Sequence, residues 1–184
     1  MKKIDHVIIL HGIGANPHVM WFPWLKRHLE KLGVHVDVPL LPHSFKPTYK
    51  EWATVARPYI QKATDTTLII GHSLGCILAL RMIEKDVPGK LGGLLMVAPP
   101  IARLTKVETF ITFFGKRIPW KKIQAKVRAI HIIAAKNDPL VPYDHALRIG
   151  EFLDVKPRIE ETGGHYAGLT ALPLLRLIKP LLKK

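Results

Sequence analysis

Along the chain, short apolar runs such as VIIL at 7–10 and LII at 68–70 alternate with longer stretches in which apolar residues recur every three or four positions. This alternation predicts a three-layer α/β sandwich, a mostly parallel sheet of about six strands flanked by helices. Strands are predicted at Ile4–Leu10, Val34–Val38, Thr67–Gly71, Leu91–Ala98, Ala129–Ala135 and Arg158–Glu161. The first, third, fourth and fifth are nearly continuous in apolar residues, as strands covered on both faces should be. Between them, Trp21, Leu25, His28, Leu29 and Leu32 fall on one helical face, and Gly33 supplies a C-terminal stop. Thr48 and Glu51 form a capping box that opens a helix to about Ala63, with Trp52, Val55, Ala56, Tyr59 and Ile60 turned inward. Pro58 is expected to kink or divide that helix. Further helices are predicted at Leu74–Lys85, Tyr143–Leu153 and Thr170–Leu182.

The 184 residues suit one domain spanning 1–184, with no internal repeat or linker-like shift in composition. A single cysteine, Cys76, excludes an intramolecular disulfide or a multi-cysteine metal site and fits a cytoplasmic protein. The apolar run after MKKIDH is too short for a secretory leader, and the leucine-rich end is broken by Arg176, Lys179 and prolines. A formal charge of +14 raises the question of an anionic partner. No nucleic-acid-binding motif accompanies it, so a nucleic acid is not the expected partner.

Chemistry concentrates at one of only two serines. Ser73 lies in GHSLG at 71–75, between a predicted strand and a predicted helix. So tight a strand-to-helix turn strains the serine backbone and leaves room only for glycine on either side. The bland alternative is a serine that merely caps the helix. A serine hydroxyl needs a histidine to take its proton and a carboxylate to orient that histidine. Asp138 follows the fifth strand in KNDPLVP, and His165 follows the sixth in TGGHY. Asp144 is the rival acid, but its place inside a helix fits a first-turn role better. The order Ser73, Asp138, His165 is that of nucleophile, acid and base in α/β-hydrolases.

With HGIGANPHVMWFPWL, PLLPHSFKPTYKEW, GHSLG, NDPLVP and GGHY in this order, the chain resembles the α/β-hydrolases. Within them it resembles the small serine hydrolases related to retinoblastoma-binding protein 9 and their bacterial counterparts. The resemblance covers nearly the whole chain and implies a compact hydrolase core with little or no lid domain. It also implies that Ser73, Asp138 and His165 are the triad. The family's acid loops more often carry Gly or Ser where this chain has Ala135. Oxyanion donors in this fold come from the residue after the nucleophile, here Leu74, and from the loop after the first strand, His11 to Gly14. Within that loop the resemblance favours Ile13. His11 and His72 are expected to support the loop and the turn, and Cys76 to be a small buried residue. The ten histidines show no metal-binding spacing, and neither a metal nor a cofactor is expected.

Half of the charge has an address. The window 97–128 holds eight basic residues against the single acid Glu108, which accounts for +7. Thr105 with Glu108 predicts another capped helix, carrying Leu104, Val107, Phe110, Ile111 and Phe114 on one face until Gly115. The segment 103–122 is therefore either a structural helix with solvated lysines or a small cap whose Phe110, Phe113 and Phe114 line an acyl pocket. Contact with a membrane surface is a third reading, not favoured. These readings converge on a carboxylesterase-like serine hydrolase acting on a small-molecule ester. The alternative is a non-catalytic binding protein on the same fold.

Overall fold

The structure, a computed structural model, describes residues 3–101, 111–115 and 117–182. Six strands form one sheet: β1 (His6–Leu10), β2 (His35–Asp37), β3 (Thr67–His72), β4 (Gly93–Val97), β5 (Ile130–Ala135) and β6 (Arg158–Glu160). Their order is β2-β1-β3-β4-β5-β6, and every neighbouring pair is parallel. The helices are α1 (Phe22–Glu30), α2 (Tyr49–Ile60), α3 (Leu74–Lys85), α4 (Ile111–Phe114), α5 (Trp120–Lys126), α6 (Asp144–Leu153) and α7 (Leu172–Ile178).

The continuous apolar runs resolve into two cores because side chains alternate across a strand. Val7 and Ile9 of β1, Leu68 and Ile70 of β3 and Leu95 and Val97 of β4 pack with Trp21, Phe22, Leu25 and Leu29 around α1, and with Leu174 and Ile178 of α7. Ile8 and Leu10, Ile69, and Leu94 and Met96 face the other way, against Trp52, Ala56 and Ile60 of α2 and against α3, Ile123 of α5 and Ile149 of α6. All six residues of β3 are buried, so the strand that delivers Ser73 is held from both faces.

Local signals account for most boundaries. Thr48 Oγ1 accepts the Glu51 N–H at 3.3 Å and donates to the Glu51 carboxylate at 2.7 Å. Gly33 adopts φ +77° just past α1. Pro58 does not divide α2, which runs as one helix to Ile60. The N–H that proline lacks would have met the carbonyl of Thr54, and both residues lie on the exposed side of the helix. The C-terminal helix is shorter than predicted, because Pro180 converts its end into a 3₁₀ turn at Lys179–Leu181. Helix α5 was not legible in the sequence: only Ile123 is buried along it, and its other positions are dominated by lysine and glutamine. Of the predicted helix around Thr105 and Glu108, residues 102–110 lie outside the described residues, Phe110 among them. The part that is described, α4, ends at Phe114 as the Gly115 stop predicts. Among the described residues, no helix is long and apolar enough to cross a membrane.

Candidate active site

Ser73 stands between the last residue of β3 and the first of α3 with φ +53° and ψ −124°, a conformation that costs on the order of 1–3 kcal/mol for a non-glycine residue. Its surroundings fix that conformation. The Ser73 N–H donates to the Val97 carbonyl at 2.9 Å. A Cβ on Gly71 would meet Cα of Cys76 at 2.6 Å, and one on Gly75 would meet the Leu10 carbonyl oxygen at 2.2 Å. Both flanking glycines are therefore demanded by backbone crossing close to backbone. Cys76 is wholly buried and donates Sγ–H to the Gly71 carbonyl at 3.1 Å. Burial pushes its thiol far up, so it has no thiolate to offer as a nucleophile.

The loop after β1 lies directly against the turn. A Cβ on Gly12 would sit 2.8 Å from Ser73 Cβ and 3.4 Å from Ser73 Oγ. His11, buried, anchors this loop: its Nδ1 faces the Gly12 carbonyl at 3.0 Å and its Nε2 accepts the Leu41 N–H at 3.1 Å. A neutral ring protonated on Nδ1 satisfies both bonds, and burial lowers its pKa in that direction. Among the described residues, neither the Leu74 N–H nor the Ile13 N–H has an intramolecular acceptor.

Asp138 and His165 meet at 2.8 Å between Oδ2 and Nδ1, with the Asp138 side chain wholly buried and that of His165 11% exposed. The other carboxylate oxygen, Oδ1, accepts the N–H groups of Leu140 at 2.8 Å and Val141 at 3.0 Å. Burial acts to raise the Asp138 pKa, but the bond from His165 and the two backbone N–H bonds outweigh it and hold the carboxyl below its ordinary value. Asn137, which the sequence did not single out, accepts the Gly164 N–H on Oδ1 at 2.9 Å. Two adjacent side chains of the acid loop thus hold two adjacent residues of the histidine loop. Gly163 and Gly164, with φ +156° and +53°, give that loop its bend. Ala135 is buried, and a Cβ on Gly163 would lie 3.1 Å from its methyl group.

His72 joins the two halves. Its Nε2–H donates to the His165 carbonyl at 2.9 Å, and the two rings are 5.1 Å apart, which brings His165 beside the residue preceding Ser73. Trp21 and Phe22 flank His72 with ring centroids each 5.9 Å away. Burial, aided by the neighbouring His165, brings the His72 pKa down to about 4, so its ring is neutral. Neither Ser73 Oγ nor the second nitrogen of His165 is engaged within the described residues. Such contacts commonly tighten only with substrate bound.

The phenylalanines of the basic window divide. Phe113 is 0% exposed, edge-on to Trp52 at 5.3 Å and to Tyr49 at 5.9 Å. It anchors α4 to α2 and offers no surface to a ligand. Phe114 is partly buried against the same core. Among the basic residues, Lys126 donates to the carbonyls of Ile83, Glu84 and Val87 and so caps α3. Phe45, passed over in the sequence, is 80% exposed and stands over Gly14, one residue from Ile13.

Comparison with known proteins agrees with this architecture. The family model described as serine hydrolase matches residues 7–176. The Bacillus subtilis protein YdeN is 29% identical over 173 residues, covering 92% of this chain and 91% of its own. The crystal structure of that gene product superposes with a TM-score of 0.89 over 96% of this chain and 97% of the other, at 28% identity. The serine hydrolase RBBP9 of Rattus norvegicus is 24% identical over 186 residues, covering 99% and 98% of the two chains. Mouse alpha/beta hydrolase domain-containing protein 10, at 15% identity, shares the fold with a TM-score of 0.70 over 98% of this chain and 89% of its own.

Proposed function

The chain belongs to the serine hydrolase family, and from that premise we propose that it is a carboxylesterase working through an acyl-enzyme on Ser73. His165 Nε2 takes the Ser73 hydroxyl proton as Oγ attacks the ester carbonyl, and returns it to the departing alcohol. A water deprotonated by His165 then releases the acid and frees Ser73. Asp138 fixes the ring with its proton on Nδ1, which leaves Nε2 as the base, and it stabilises the imidazolium as that forms. The N–H groups of Leu74 and Ile13 hold the oxyanion.

The observation that carries this reading is the 2.8 Å bond between a wholly buried Asp138 carboxylate and His165, on a loop tied through His72 to the strained turn at Ser73. A buried carboxylate kept ionised beside a histidine serves little purpose in a protein that only binds. Phe114 and Phe45 are the proposed apolar contacts for the acyl chain and the leaving group. The test is a fluorophosphonate probe followed by a panel of esters graded in acyl length. Labelling and turnover by the wild type, with both lost in Ser73→Ala, support the esterase. A folded wild type that neither labels nor turns over any ester refutes it.

A further inference from the structure

Far from Ser73, the tertiary structure assembles a group that sequence spacing conceals. His6 begins β1 and pairs in register with His35 of the edge strand β2, whose Asp37 stands opposite Ile8. Residues 35 and 37 lie on one face of β2. Asp37 Oδ2 is 2.8 Å from His6 Nε2 and 3.3 Å from His35 Nε2. All three ligand atoms fall within 4.8 Å of one another. Because β1 and β3 are parallel, this cluster sits at the amino end of the sheet, opposite the turn that follows β3.

We infer that His6, His35 and Asp37 form a binding site for a divalent transition metal, with Zn²⁺ as the best-matched ion. Two imidazole nitrogens and one carboxylate oxygen suit zinc, whereas magnesium and calcium take oxygen ligands. A tetrahedral zinc about 2.0–2.1 Å from each donor spaces the donors about 3.3–3.4 Å apart. The His35–Asp37 separation of 3.3 Å already matches that spacing, whereas the 2.8 Å between His6 and Asp37 is a hydrogen-bond distance, about 0.5 Å short of it. The remaining adjustment is a small rotation of the Asp37 carboxylate away from His6, and His35, whose side chain is 70% exposed, has room to follow it. His6 is better held: its Nδ1 lies 3.5 Å from Thr67 Oγ1 of β3, which orients the ring with Nε2 toward Asp37. Three protein ligands leave one position for water. The bound ion ties the three-residue edge strand β2 to β1, where pairing alone is short.

The test is calorimetric titration of the full chain with ZnCl₂ in wild type, His35→Ala, Asp37→Asn and, as control, His43→Ala. His43 is an exposed histidine that also has a carboxylate partner, Glu51, at 3.1 Å. The inference requires one zinc per wild-type chain, binding weakened about tenfold or more in His35→Ala and Asp37→Asn, and binding unchanged in His43→Ala. Zinc should also raise the thermal midpoint of the wild type and not that of Asp37→Asn. Titration with Co²⁺ should give the intense visible bands of a four-coordinate site in wild type and His43→Ala, and not in His35→Ala or Asp37→Asn. No saturable binding, binding indifferent to both substitutions, or an equal loss in His43→Ala overturns it.

Discussion

Replacing Gly12 by alanine probes the proposed oxyanion loop through a contact measured in the structure. The new methyl group would sit 2.8 Å from Ser73 Cβ and 3.0 Å from the His72 carbonyl oxygen. Carbon atoms rest about 3.5–4.0 Å apart, so relief takes a displacement of about 0.7–1.2 Å. The turn cannot supply it, since Ser73 is bound to Val97 and its flanking glycines are packed against backbone. His11 is equally fixed, by Leu41 and by the Gly12 carbonyl. The shift therefore falls on Gly12 and Ile13, and it displaces the Ile13 N–H that is proposed to hold the oxyanion. A misplacement of about 1 Å costs on the order of 10²-fold in rate, and complete loss of one oxyanion donor about 10²–10³-fold, or about 2.7–4 kcal/mol. The assay is steady-state hydrolysis of a short aryl ester, with circular dichroism and thermal unfolding run on the same samples. The expected result is a kcat lower by about 10²-fold with KM little changed, because the donor acts mainly in the transition state. A folded Gly12→Ala protein with kcat within about threefold of wild type would refute the assignment of this loop.

Further substitutions address other parts of the molecule. Asp138→Asn keeps the shape of the acid loop but favours the wrong His165 tautomer, so kcat should fall by about 10⁴-fold while the protein stays folded. His72 is neutral in the native state with a pKa near 4 but titrates at 6.5 when unfolded, so the unfolded chain binds more protons between those values and stability falls as pH drops through that window. Its contribution is about 3 kcal/mol; urea unfolding at pH 7 and pH 4 should show a shallower pH dependence in His72→Asn. Lys126→Met keeps the aliphatic stem but removes the cation from the Ile83 and Glu84 carbonyls in the last turn of α3 and from that of Val87 just beyond it, and should cost about 1 kcal/mol in chemical unfolding. Phe45→Ala should raise KM for aromatic esters several-fold with kcat nearly unchanged, and an unaltered KM would remove Phe45 from the substrate path.

The strands were legible because burial on both faces of a parallel sheet writes itself as uninterrupted apolar runs. The turn at Ser73 was legible for a related reason: Gly71 and Gly75 are required by contacts of 2.6 and 2.2 Å, so the backbone crossing leaves its mark in residue type. Helix α5 was hidden because one buried residue, Ile123, carries no periodicity. Pro58 does not divide α2 because it stands only two residues from the end of the helix and on its exposed side, where the lost bond costs least. Asn137 was invisible, since nothing about an asparagine before Asp138 tells that it will accept the N–H of Gly164.

By itself the chain determined its sheet, its order of chemical groups and the strained serine turn, because each rests on local sterics or on patterned burial. Only the tertiary structure decided which side chains meet. It bonded His72 to the carbonyl of His165, seated Phe113 in the core rather than at a pocket, set Lys126 on the end of α3, and gathered His6, His35 and Asp37 around one carboxylate oxygen. Such contacts depend on register and packing between segments far apart in sequence, and spacing along a chain does not encode distance across a sheet.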